Sequence, residues 1–244
     1  MNMHPGKLTN EDGGVGGPDW RWPLWGSAAG LLGAVGHLFS MQTQTEAERA
    51  SGAAVIDSLE RGPYQIGIVA GLAGVFCLLV FAAGWRRWAA ATAAGSLAGG
   101  MITLALTASA GAMMLAYGFK GALAVYLDGE MDEGSYSNES LLTFYMFDDF
   151  GAFIAWWGVA MAAGAIAWLA PRERRLPLWI GLLATLFALV PVGFVTATGL
   201  PGFPGVVDPF FLVIVGIGLA FTFRRSAESH LRSAVSAQPL LANS

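Results

Sequence analysis

Six stretches of apolar residues, separated by short polar or charged connections, dominate the chain. They run from Leu24 to Met41, Tyr64 to Gly84, Ala89 to about Gly118, about Phe150 to Ala170, Leu176 to Thr196, and Gly205 to Phe223. Each supplies something near the ~20 residues a helix needs to cross a hydrocarbon core of about 30 Å. The pattern predicts an all-α polytopic bundle of six transmembrane helices. Residues 1–23 and 224–244 are polar by comparison and read as flexible tails around one membrane domain, 24–223. The first apolar run has no basic leader and no small-residue cleavage site, so it reads as a retained span.

Within the fourth stretch, Asp148, Gly151, Ala155, Gly158, Ala162 and Ala165 recur at helical steps of three and four. Small residues on one face let another backbone approach closely. Asp149 lies about 100° around the helix from Asp148, so the two carboxylates are predicted to differ. Asp148 turns toward the bundle, and Asp149 toward headgroups or water. Gly26, Gly30, Gly33 and His37 form a comparable row in the first span, and Gly67, Gly71 and Gly74 another in the second. Pro191 falls within the fifth span, where it is expected to bend the helix.

Charge sets the orientation. Lys7, Arg21, Arg86, Arg87, Arg172, Arg174, Arg175, Arg224, Arg225 and Arg232 all fall at one side of a six-span bundle. Arg49, Arg61 and Lys120 alone fall at the other. Basic residues stay on the cytoplasmic side, which places both termini inside and makes this a multi-pass protein of the plasma membrane. On the outer side, Ala50, Ala53, Ile56 and Leu59 share a helical row, predicting a short surface helix stopped by Gly62-Pro63. The TGLPGFPGVVDP segment reads as a stiff outer turn.

Composition agrees. Of 244 residues, 55% are hydrophobic and only 12% charged, half the charged share of a soluble domain. A net charge of −4 without a basic patch excludes nucleic acid as a partner, leaving the lipid bilayer and a membrane protein as the candidates. The single cysteine, Cys77, reads as a small buried hydrophobe.

Candidate chemistry is sparse. His37 is the one ionisable residue clearly inside a span, and such groups usually face the interior with a partner. Its depth matches the outer start of the fourth span, so Asp148 is the first candidate partner, with Tyr64 and Gln65 as alternatives. Together with Asp149 these residues form a candidate polar cluster. A plainer arrangement ranks ahead of it: a histidine bonded to a backbone carbonyl, and aspartates capping a helix start. Phe144, Tyr145, Phe147, Phe150, Phe153, Trp156 and Trp157 crowd the same outer level. Trp22, Trp25, Trp85, Trp88, Trp168 and Trp179 mark the inner one, and both sets are expected as interfacial belts. The outer set could alternatively line a small-molecule or lipid pocket.

No haem, zinc, nucleophile-elbow, Walker or dinucleotide motif is present, so no catalytic, cofactor or metal residue is assigned and the chain reads as a non-enzyme. The order of features, with RGPYQIGIVAGLAGVFCLLVFAAGW in the second span and RERRLPLWIG at the fourth-to-fifth turn, resembles six-span bacterial membrane families, particularly actinobacterial ones. Those families carry no assigned activity, and the resemblance transfers no functional residue. Two functions compete: a non-enzymatic accessory or interaction protein, and a small-molecule or proton-linked permease with an outer vestibule around His37 and Asp148.

Overall fold

The computed structural model describes residues 20–127 and 135–237. Among these, all regular structure is helical. After a turn at Trp20–Pro23, α1 covers Leu24–His37 and a short α2 covers Glu46–Ala50, followed by a 3₁₀ turn over Gly52–Ser58. Then come α3 (Arg61–Thr92), α4 (Leu97–Tyr126), α5 (Asn138–Ile154), α6 (Trp157–Glu173), α7 (Leu178–Thr198) and α8 (Phe203–Ala237).

Five helical units are long and apolar enough to cross a membrane: α3, α4, the α5–α6 pair taken together, α7 and α8. At 14 residues α1 is shorter, about 21 Å. It nonetheless runs along the inside of the bundle, because its glycine row meets α3, α8 and the junction between α5 and α6. A methyl group added at Gly26 would touch Phe81 of α3, one at Gly30 the Pro209 carbonyl of α8, and one at Gly33 the Trp156 ring. The second-span row answers it. Gly74 faces the Gly33 amide, Gly71 lies under Tyr117, and Gly67 lies under Lys120 and Ser40. Gly158 is tight against the Ala105 carbonyl, joining α6 to α4. In lipid, where apolar contact alone gives helices little reason to associate, such backbone approaches are the main attraction.

Several boundaries differ from the pattern. Arg86 and Arg87 are not in a loop, because α3 continues past them through WAAAT to Thr92, a helix-favouring stretch. The true turn is Ala93–Ser96, where Gly95 adopts φ +81° and Ser96 caps α4 by accepting from the Gly99 N–H. The expected surface helix breaks at Gly52, φ +65°, and its buried residues are Val55 and Ile56, with Ala50 exposed. Gly62-Pro63 does not stop it; both belong to the first turn of α3, where proline costs no hydrogen bond. Thr45 and Glu48 close a capping box at α2, and these bonds hold the exposed Glu48 carboxyl below its ordinary range.

The fourth stretch is one span with a break in it. At Ala155–Trp156 the helix interrupts, and Ser109 of α4 donates to the Ala155 carbonyl. Trp156 turns into the core at 1% exposure, while the neighbouring Trp157 donates from its indole to the Pro201 carbonyl. The small face predicted for this span does lie inward, from Asp148 through Ala155 to Ala165. Pro191 sits buried within α7. The segment GVVDP is helical, not a turn, since α8 begins at Phe203. At its other end α8 runs on to Ala237, so 224–237, expected as a tail, is helix; residues 1–19 and 238–244 lie outside the described part.

The belts need correction too. Trp22 and Trp85 are buried, packed on each other and on Phe81, and Gly84 leaves the space for the Trp22 ring. Trp156 is likewise core. Trp25, Trp168 and Trp179 do face outward, as do Phe147 and Phe150. Cys77 is a free buried thiol.

Candidate functional site

The buried polar groups collect in the half of the bundle containing the α3 start, the α4 end and α5. Pro209 is the origin of one of them. Lacking an N–H, it cannot bond to the carbonyl four residues earlier, Gly205. A membrane interior offers that carbonyl no water. His37, at the last residue of α1, fills the gap with Nε2 at 2.5 Å from the Gly205 oxygen. A carbonyl only accepts, so Nε2 carries the proton in this bond. Phe153 meets the imidazole edge-on at 5.2 Å between centroids, and Trp156 lies tilted against it at 5.4 Å.

His37 therefore has the plainer of its two expected arrangements. Asp148 does not partner it, and neither does Asp148 cap a helix start, being well inside α5. Its partner is Lys120 of α4, whose Nζ donates to Oδ2 at 3.0 Å. Both side chains are buried, at 3% and 7% exposure. The Tyr64 ring lies under the same ammonium at 5.1 Å, a cation–π contact that offsets part of the lost hydration. Asp149 is exposed, as its angular position requires.

Lys120 does not stand out in the sequence. It falls two residues past the predicted end of the third span and so reads as an outer loop residue. The helix in fact continues to Tyr126, and Gly67 across the interface leaves room for the lysine stem. No local pattern points to it; Gly67 marks only that something bulky packs on α3 at that level.

His37, Tyr64, Lys120, Asp148 and Asp149 line one pocket, joined by Tyr145, Phe153 and Ser40. Gln65 is not part of it; it is exposed beside Arg61. The pocket volume is about 10 Å³, close to what a single water needs. Asp148 Oδ1 is a buried acceptor there without a protein donor. Among the described residues no group of three or more His, Cys, Asp or Glu is placed to hold a metal, and Lys120 occupies the position a cation would take beside Asp148.

A second buried carboxylate is invisible to the sequence pattern. Asp208, which falls in the expected outer turn, lies on α8 at 0% exposure with neither oxygen in a hydrogen bond. One local signal points the right way: Pro204 suits the first turn of a helix better than the middle of a loop. Comparison of the chain with protein families, with curated proteins and with solved structures finds no match.

Proposed function

We propose that this is a six-crossing protein of the plasma membrane, with both termini in the cytoplasm, that acts without catalysis as an accessory or interaction protein. For the sixth crossing, Trp22 packs on Gly84 and Ser40 on Gly67, so residues 22–40 flank seventeen residues of α3 (84 − 67), about 25 Å. The basic residues Arg86, Arg87, Arg172, Arg174 and Arg175 gather at the opposite end from the Lys120–Asp148 pair, which favours that end as cytoplasmic.

The observation that carries the accessory reading is the closure of the outer polar cluster. Lys120 and Asp148 are closed on each other, His37 is bound to the Gly205 carbonyl, and the ~10 Å³ left over has no room for a solute. Surface for a partner is present on α7, the least enclosed span, where Leu182, Leu186 and Leu189 form an outward stripe. A photo-crosslinking residue at Leu186, activated in native membranes, is expected to yield one defined protein adduct. Adducts to lipid alone would overturn the interaction reading.

The permease reading keeps one specific support, the buried Lys120–Asp148 pair beside His37, since intramembrane charges often serve ion or proton pathways. Purified protein in vesicles loaded with a pH-sensitive dye separates the two. An imposed gradient is expected to drive no proton entry above empty vesicles. Entry abolished by Asp148→Asn would instead establish the permease.

A further inference from the structure

Asp208 is the most enclosed ionisable side chain among the described residues. It stands on α8 about 7–8 Å beyond the helix start. Its carboxyl turns toward the Ala160 N–H in the first turn of α6, just past the break in the fourth span. That N–H is already shared with the Trp156 carbonyl at 3.2 Å, and neither Asp208 oxygen completes a hydrogen bond.

Among the described residues no cation answers it. Of the helices packed on α8, α1 brings His37, engaged with Gly205, while α5 brings Glu139 in its exposed first turn, Tyr145, Asp148 and Asp149, with Asp148 held by Lys120 of α4. Arg172 and Glu173 of α6 lie more than ten residues beyond Ala160, and α7 has no ionisable residue. Arg224 and Arg225 of α8 itself are sixteen and more residues away. An ionised carboxylate in such surroundings would cost far more than the helix N-terminus returns; a neutral carboxylic acid costs far less. Among the described residues Asp208 is the one buried acid whose charge nothing balances.

We propose that Asp208 is a proton-binding site inside the membrane, exchanging its proton with the outer face through His37 and the small polar pocket above it. The route follows from three placements. Gly205 and Asp208 are neighbours at i and i+3 on α8, about 5–6 Å apart at this spacing. His37 grips Gly205, and the same imidazole lines the pocket that ends at exposed Asp149. On release the carboxyl passes from neutral to −1, the unpartnered Nδ1 of His37 takes the proton while Nε2–H stays on the Gly205 carbonyl, and a water at the pocket mouth then accepts that proton as hydronium, returning the imidazole to its neutral form. The inference goes beyond the accessory reading and does not rest on it, since proton binding needs no path for a solute.

Infrared spectroscopy of the full chain in nanodiscs near neutral pH tests it. Wild type is expected to show a protonated-carboxyl C=O band that moves on carbon-13 labelling of aspartate, is lost in Asp208→Asn and survives in Asp148→Asn. Transfer to D₂O should shift the band, and His37→Phe should slow that shift about a hundredfold, the lower end of what a positioned proton donor contributes. Absence of a labelled acid band in wild type, or its survival in Asp208→Asn, overturns the site. An exchange rate indifferent to His37→Phe overturns the route. Should Asp208→Asn fail to fold, the labelled wild-type band, its survival in Asp148→Asn and its exchange still decide.

Discussion

His37 supplies to the Gly205 carbonyl the hydrogen bond that Pro209 withholds. The two residues are 172 positions apart (209 − 37) and do one job between them: a proline inside α8 opens a backbone acceptor, and a histidine at the end of α1 closes it. The relationship predicts a specific non-additivity. His37→Ala alone leaves a buried carbonyl unpaired and is expected to cost about 1–3 kcal/mol. In a Pro209→Ala background the helix regains its own N–H, and the same histidine change should cost clearly less. Thermal unfolding of the four proteins in detergent, read as a double-mutant cycle, checks this; equal costs in both backgrounds would break the link.

Lys120 and Asp148 should behave as a unit. Removing either partner strands a buried charge, so Lys120→Met or Asp148→Leu alone is expected to destabilise by about 3–5 kcal/mol. The double change to Met and Leu removes both charges together and should cost far less than the sum. Additive losses would show that the pair is not formed in the membrane-embedded protein.

The glycines divide into two classes with opposite expected signs. Gly158 and Gly71 have no space for a methyl group, being against the Ala105 carbonyl and the Tyr117 ring. Their change to Ala should destabilise by about 1–3 kcal/mol. Gly111 and Gly118 on α4 are open, with nothing within 4 Å of the place a methyl group would take. Alanine there should stabilise by about 0.4–1 kcal/mol through backbone entropy. Melting temperatures of the four single variants decide the matter.

Outside the membrane, the Thr45–Glu48 box sets a local pH dependence. Glu48 has its folded-state pKa depressed by the Thr45 hydroxyl and then the Thr45 N–H. Its contribution to the α2 start is therefore complete above the ordinary glutamate value of 4.5 and is lost as pH falls through the lower folded value. Amide exchange at Thr45 and Glu48 should accelerate in that acid window in wild type, and Glu48→Gln should remove the pH dependence. Protection unchanged down to strong acid would contradict the box.

The crossing number and orientation can be read by labelling. In a Cys77→Ala background, a cysteine placed at Ser137 is expected to react with an impermeant maleimide added outside intact cells, and one at Arg87 only after lysis. The reverse order would invert the protein in the membrane.

Local chemistry made part of this molecule readable before any folding. Apolar runs of bilayer length, the one-sided arginines and the glycine rows made the helical membrane bundle and its packing faces legible, because each depends on hydration or on the helical repeat. The inequality of Asp148 and Asp149 was legible for the same reason, as a matter of angle on a single helix. Which residues meet across the bundle was not readable in this way. That Lys120, not His37, pairs with Asp148 depends on α4 continuing to Tyr126 and on Gly67 leaving room across the interface. That Asp208 is buried depends on α8 starting at Phe203 and docking beside the break in the fourth span. The break itself, at Ala155–Trp156, carries no proline; Ser109 and two oppositely docked tryptophans accompany it, all reaching other parts of the bundle. A contact between helices depends on distances that no single helix encodes, and so it first exists in the assembled bundle.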